Sequence, residues 1–196
     1  MKPYTLNPEL LYAAYSQGYF PMPDQEGEDI LWFRPDPRAI IPLDGFHVSR
    51  SLRKTLRKQL FQVTFDQSFQ DVMLGCASHP ETWISQEFVD VYGQMFAVGL
   101  AHSVEIWHRD ILVGGTYGVS LGGAFFAESK FHRMTDASKV ALYYLVERLK
   151  EGGYTLLECQ FLTEHLKSLG AVEISDSQYI HQLKEALMIH SRFDGL

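Results

Sequence analysis

The sequence predicts an α+β fold, with a small N-terminal lobe over residues 1–36 and a mixed-sheet core over residues 37–196. Three observations carry that expectation. Strand-like runs follow one another at 102–108, 111–119 and 123–128, a strongly amphipathic helix comes next, and a short apolar strand follows at 154–160. A proline-punctuated stretch, Leu31-Trp32-Phe33-Arg34-Pro35-Asp36-Pro37-Arg38, separates what precedes from this block, because residues before proline are held extended.

In chain order, Asn7-Pro8-Glu9 has the form of an N-cap, a first-turn proline and a first-turn acid, so a helix is expected over 8–17 with Gly18 as its stop. Phe20-Pro21-Met22-Pro23-Asp24 and an acidic, glycine-containing loop come next. From Arg50 a helix places Arg50, Arg53, Lys54, Arg57 and Lys58 on one face and Leu52, Leu56 and Leu60 on the other, which would dock it and leave the charge in solvent. A further helix is expected from a Ser85 cap through Phe88, Val89, Tyr92, Met95 and Phe96 to Gly99. Arg109-Asp110 joins the first two core strands as an antiparallel hairpin without the favoured glycine. Thr135 or Asp136 would cap the amphipathic helix carrying Leu142, Leu145, Val146 and Leu149, with Gly152-Gly153 ending it. A last helix is read through residues 163–169 to Gly170. The order β-β-β-α-β-α, antiparallel first and then a crossover, is that of the core of acetyl-CoA-dependent N-acetyltransferases.

The chain has 196 residues, 46% of them hydrophobic, and a net charge of −7. No uninterrupted apolar run suits a signal peptide or a membrane span, so a cytoplasmic protein without a membrane partner is expected. Cys76 and Cys159 form no CxxC or metal-ligand spacing and read as buried reduced thiols. The eight histidines include no HExxH pair, and no GxxxxGK[ST], GxGxxG or GxSxG pattern occurs, so neither a metal nor a cofactor is expected. The acidic balance argues against general nucleic-acid binding, yet residues 49–58 hold five of the 17 basic residues and none of the 24 acidic ones. Like charges so concentrated repel, whereas an ordinary solvated face interleaves signs, so a local contact with tRNA phosphates is expected there.

Two sets of residues interrupt apolar strands with groups that can do chemistry. Alternation puts Glu158 and Gln160 on one strand face, ~7 Å apart at about 3.3 Å per residue, where desolvation demands a reason for a carboxylate and an amide. The plainer alternative pairs Glu158 with an arginine or lysine and gives Gln160 to loop backbone. Glu128 ends the third strand, where it either faces a cleft or makes an edge-strand salt bridge.

The chain resembles the leucyl/phenylalanyl-tRNA–protein transferases. The resemblance runs through residues 14–21, Trp32-Phe33-Arg34-Pro35-Asp36-Pro37-Arg38, His47-Val48-Ser49-Arg50-Ser51, Thr82-Trp83-Ile84, residues 99–105, residues 113–119, Glu128-Ser129-Lys130-Phe131, Ala137-Ser138-Lys139 and Glu158-Cys159-Gln160, with His165 and Ser168-Leu169-Gly170. These stretches span nearly the whole chain in the family's order. The resemblance implies an acyltransferase-like core that uses aminoacyl-tRNA in place of acyl-CoA. It implies transfer of leucine or phenylalanine to proteins beginning with arginine or lysine, which marks them for degradation. It assigns an aminoacyl pocket to Thr116, Phe125, Glu128, Leu145 and Leu157, the terminal adenosine to Trp83 and Met22, the reaction centre to Glu158 and Gln160, and tRNA contact to the basic helix. An apolar pocket without a counter-charge would take Leu, Phe and Met and reject Asp and Lys. Where the family pattern has tryptophan after Phe-Pro, methionine after Val-Gly-Gly, aspartate in the reaction strand and methionine after Glu-Ser, this chain has Met22, Thr116, Glu158 and Lys130. The alternatives are an acetyl-CoA-dependent N-acetyltransferase, disfavoured because residues 131–137 lack a glycine-rich pyrophosphate loop, and a non-catalytic tRNA-binding module.

Overall fold

The computed structural model describes residues 6–24, 29–79, 82–194. The N-terminal five residues, and most of the acidic loop expected after Asp24, lie outside the described residues.

Helix α1 (Pro8–Ser16) starts as its sequence dictates, with the Asn7 side chain accepting from the Leu10 N–H and Pro8 in the first turn. It stops where Gly18 enters the left-handed region at φ +83°. Strands β1 (Phe20–Pro23) and β2 (Ile30–Phe33) form a separate antiparallel pair. The remaining elements follow in the order β3 (Arg38–Ile40), α2 (Arg50–Arg57), β4 (Gln62–Phe65), α3 (Phe69–Ala77), α4 (Gln86–Ala97), β5 (Ala101–His108), β6 (Ile111–Leu121), β7 (Ala124–His132), α5 (Ala137–Glu151), β8 (Leu156–Glu158), α6 (Glu164–Lys167), β9 (Val172–Ile174) and α7 (Asp176–Leu187).

One seven-stranded sheet in the order β4-β5-β6-β7-β8-β3-β9 organises the fold. It is antiparallel throughout except that α5 carries the chain over to β8, which runs parallel to β7. The mixed α+β core expected from the sequence is therefore present. Arg109 and Asp110 both take positive φ, +51° and +63°, the twist a two-residue hairpin needs even without glycine. One core layer lies between the sheet and α1, α3, α4 and α7, and the other between the sheet and α2, α5 and α6.

Four expectations are corrected. The basic helix ends at Arg57, so Leu52 is buried but Leu60 lies past the helix and is exposed. Asp136 occupies the N-cap position of α5 in a left-handed conformation and its side chain does not cap; its carboxylate instead accepts from the Thr55 hydroxyl at 2.9 Å and pairs with Lys139 at 3.2 Å, fastening α2 to the start of α5. Strand β7 continues to His132 rather than ending at Glu128, and β8 is cut to three residues because Gln160 turns to φ +64°.

The extension of β7 contains a β-bulge. Tyr117 pairs with Ser129 and Gly118 with Ala127, leaving Glu128 as the extra residue. The bulge reverses the alternation of faces, so Phe126 and Phe131, of opposite parity, both enter the same core layer. Gly118 is required beside it: a β-carbon there would lie 2.2 Å from the Phe126 carbonyl oxygen.

Candidate active site

The bulge turns Glu128 into the α1/α4 side of the sheet, where it is buried. Tyr15 of α1 donates to Glu128 Oε1 at 2.6 Å, Tyr92 of α4 donates to Oε2 at 3.3 Å, and the two phenol oxygens lie 2.5 Å apart. Among the described residues Glu128 has no cationic partner, and it sits on an interior strand rather than an edge. Burial pushes its carboxyl up to about 8, with the nearby Glu158 charge acting in the same direction and the Tyr15, Tyr92 and Gln160 hydrogen bonds opposing it. Both phenols are likewise raised well above the ordinary tyrosine range, burial first and the Glu128 charge next.

Gln160 reaches this network from the end of β8, its Nε2 donating to Glu128 Oε2 at 3.1 Å. That bond turns the amide oxygen to the other side, where it is an acceptor. The backbone of Gln160 is held separately. Its N–H donates to Glu158 Oε1 at 2.7 Å, which supports a left-handed conformation that costs a residue other than glycine about 1–2 kcal/mol. Glu158 is 0% exposed and forms an ion pair with Arg38, 1% exposed, at 2.9 Å. The expected common strand face is thus replaced by a strand end and a turn, with the Glu158 side chain buried. The arginine partner anticipated for Glu158 exists. Burial nonetheless raises the Glu158 carboxyl above the ordinary range, with Arg38 pulling it back, and Glu158 Oε2 has no hydrogen-bond partner. Arg38 lies over the rings of Tyr179 and Phe20, 4.3 and 5.1 Å from their centroids, and its other terminal nitrogen donates to the Gly18 carbonyl at the end of α1.

Gln160 stands at the rim of a cavity of 180 Å³ whose walls include Thr116, Glu128, Leu142, Cys159 and Leu166. Of the residues assigned to an aminoacyl pocket, Thr116 and Glu128 line it. Phe125, Leu145 and Leu157 do not: they are packed in the core layer behind, because only the first turns of α5 face the cavity and Leu145 lies one turn deeper than Leu142. Thr116 donates to the Ser129 carbonyl at 2.9 Å. A second cavity, of 640 Å³, is lined by Trp83, Lys130, His132, Arg133, Ser138 and His165 among others. Trp83, packed edge-on to Phe88 with centroids 5.1 Å apart, is therefore on its wall, while Met22, on β1 opposite Leu31, lines neither cavity. Arg50, Arg53, Lys54, Arg57 and Lys58 are all exposed. Both cysteines are free and buried, and burial raises each thiol to about 12.

Residues 40–184 match the sequence family described as leucyl/phenylalanyl-tRNA protein transferase, and residues 4–36 match the N-terminal domain described for the same transferases. The chain belongs to the leucyl/phenylalanyl-tRNA–protein transferase family. A leucyl/phenylalanyl-tRNA–protein transferase of Herpetosiphon aurantiacus is 52% identical over 96% of this chain and 98% of its own, and one of Gloeobacter violaceus is 48% identical over the same shares. Among solved structures, a GCN5-related N-acetyltransferase from Kribbella flavida gives a TM-score of 0.46 at 15% identity, covering 87% of this chain and 64% of that one. Within this transferase-family chain, Tyr15 and Tyr92 are site residues that sequence reading left unassigned. They lie 77 positions apart, and each reads locally as a core aromatic of its helix. No helix among the described residues is long and apolar enough to cross a membrane.

Proposed function

We propose that this chain transfers leucine or phenylalanine, and by the graded fit of an apolar pocket methionine, from aminoacyl-tRNA to the N-terminal arginine or lysine of acceptor proteins in the cytoplasm, marking them for degradation. Family membership supports the reaction class over acetyl transfer and over passive tRNA binding. The observation that carries the mechanism is Gln160 clamped twice beside a small cavity, its side chain by Glu128 and its backbone by Glu158.

The acceptor nitrogen bonds to the ester carbonyl carbon, the bond from that carbon to the ribose oxygen breaks, and the oxygen leaves as a hydroxyl. An α-amino group has an ordinary pKa of about 7.7–8.0, so part of the acceptor is already neutral near pH 7.5 and strong base catalysis is unnecessary. Gln160 is a poor proton acceptor; its free amide oxygen orients the attacking amine. Glu158, buried against Arg38, holds Gln160 and does not meet the substrate. The donor side chain occupies the 180 Å³ cavity between Thr116, Leu142 and Leu166, with Phe125, Leu145 and Leu157 as its backing. The terminal adenosine takes the larger cavity beside Trp83, with Met22 on the adjoining lobe. The basic face of α2, fastened to α5 through Thr55 and Asp136, contacts the tRNA body. Residues 1–36 act as a lobe supplying Tyr15, and residues 37–196 as the transfer domain.

Incubation with leucyl-tRNA and an arginine-initiated peptide tests the reading: a leucine-extended peptide is expected, and its absence with a folded protein rejects the transferase assignment. In the same assay, Glu158→Gln and Gln160→Ala are expected to lower kcat while the acidic limb of the pH profile stays near the acceptor amine's pKa. Loss of that limb in Glu158→Gln would make Glu158 the proton acceptor instead.

A further inference from the structure

The two cavities share three wall residues. Lys130, opposite Thr116 across the β6/β7 ladder, lies on the walls of both, together with Ser129 and Thr163. The pocket expected to lack a buried counter-charge for the donor side chain therefore has an ammonium on its wall. Among the described residues Lys130 makes no hydrogen bond and no ion pair, and burial lowers its pKa from the ordinary lysine value. A half-buried cation without a partner is costly unless a ligand supplies one.

The direction in which that ligand lies follows from the donor. When leucine or phenylalanine fills the 180 Å³ cavity, water leaves that side of Lys130, and the carboxyl of Glu128 on the same wall is already held by Tyr15, Tyr92 and Gln160. The larger cavity is then the side on which the ammonium can gain a partner. There it joins His132, Arg133 and His165, and no carboxylate lines that cavity among the described residues. These basic groups are close enough to act on one another: burial lowers the pKa of His165, and Lys130, Lys139 and His132 lower it further. Arg133 is held over the Phe131 ring at 5.4 Å and donates to the Leu112 carbonyl, and among the described residues its guanidinium has no acidic partner either. Ser138, at the start of α5, adds a hydroxyl to the wall. Basic side chains and a hydroxyl thus gather, with no carboxylate among the described residues, in a cavity that Trp83 also lines, an arrangement that suits a nucleotide carrying a phosphate.

We propose that Lys130 binds the phosphodiester on the 5′ side of the donor's terminal adenosine, with Arg133 and Ser138 beside it, and so makes donor recognition in this chain depend on that phosphate. The proposal rests on the transfer reading and adds a residue to it at a position where the family pattern has methionine. A phosphate there lets the ammonium remain charged while an apolar side chain fills the neighbouring cavity.

The experiment compares binding of adenosine 5′-monophosphate and adenosine to the whole protein by calorimetry and by inhibition of leucyl transfer, in wild type, Lys130→Met and Lys130→Arg. The monophosphate is expected to bind wild type about tenfold more tightly than adenosine, the scale of one charge-assisted hydrogen bond. Lys130→Met should erase that difference while leaving adenosine unchanged, and Lys130→Arg should keep most of it. Equal binding of the two nucleotides by wild type, no measurable binding of either, or a preference untouched by Lys130→Met would each overturn the proposal. So would a change confined to selectivity between leucyl- and glutamyl-adenosine donors, which would assign Lys130 to the side-chain cavity. Leucyl transfer without a monophosphate preference sinks only this inference; a monophosphate preference without any transfer sinks the transferase reading.

Discussion

Replacing Arg38 by methionine separates holding the fold from holding the reaction centre. Arg38 and Glu158 are 1% and 0% exposed and 2.9 Å apart, so Arg38→Met leaves a buried carboxylate whose remaining donor among the described residues is the Gln160 N–H. Removing one partner of such a pair costs about 3–5 kcal/mol, a large share of the ~5–15 kcal/mol of a typical domain. Desolvation has already taken much of what the pair could contribute, as the raised Glu158 carboxyl indicates. Arg38→Met/Glu158→Leu, which makes the pair apolar, is therefore expected to recover stability to within about 1–2 kcal/mol of wild type. Activity should not follow. Without the Glu158 oxygen the left-handed turn at Gln160 loses its acceptor, and a displaced amide should lower kcat on the order of 100-fold. Urea unfolding followed by tryptophan fluorescence and leucyl transfer to an arginine peptide measure the two quantities on the same samples. A single-variant cost below about 1 kcal/mol, or a double variant that regains kcat with its stability, would refute the account of Glu158 as the anchor of Gln160.

Glu128, raised from 4.5 to about 8, binds a proton in the folded protein that it releases when unfolded across that interval, so stability should fall as pH rises from about 4.5 to 8 and level off above. Glu128→Gln is expected to flatten this fall by on the order of a few kcal/mol; identical urea midpoints against pH in the two proteins would contradict it. Reversing Arg50 and Lys54 to glutamate should raise KM for leucyl-tRNA and reduce the slope of log affinity against log salt by about one to two, with leucyl-adenosine unaffected. Equal losses with both donors would dismiss α2 as a tRNA contact.

What the sequence disclosed depends on how local each cause is. Caps and stops are local, so α1, α4 and α5 could be read from Asn7, Gly18, Ser85, Gly99 and Gly152, although Ser85 stands at the N-cap position of α4 without a side-chain capping bond among the described residues. The Ser175/Gln178 capping box of α7 was also legible, although only the structure brought it to notice. The β7 bulge and the turn at Gln160 are not local, because both answer to contacts made far along the chain. Strict alternation therefore misjudged where β7 ends and carried β8 past Glu158 to Gln160. The same limit applies to the site. Glu128, Glu158 and Gln160 were conspicuous as polar groups in apolar strands. Tyr15, Tyr92 and Arg38 looked ordinary in their own segments, and their importance appears only when Tyr15 and Arg38 are seen to reach Glu128 and Glu158 across 113 and 120 positions.

The first helix and the turn that ends it reach the site at two points, through the Tyr15 hydroxyl on Glu128 of β7 and through the Gly18 carbonyl on Arg38 and thence Glu158 of β8. One buried acid of the larger part of the chain, Glu128, is thus solvated by a group contributed from the smaller part, and the arginine that neutralises the other, Glu158, is itself held by a carbonyl from that part. A division of the polypeptide near residue 37 would take Tyr15 from Glu128 and the Gly18 carbonyl from Arg38. The N-terminal segment is in this sense a structural cofactor covalently attached to the enzyme, and whatever displaces α1 alters the electrostatics around Gln160 before it alters any contact with substrate.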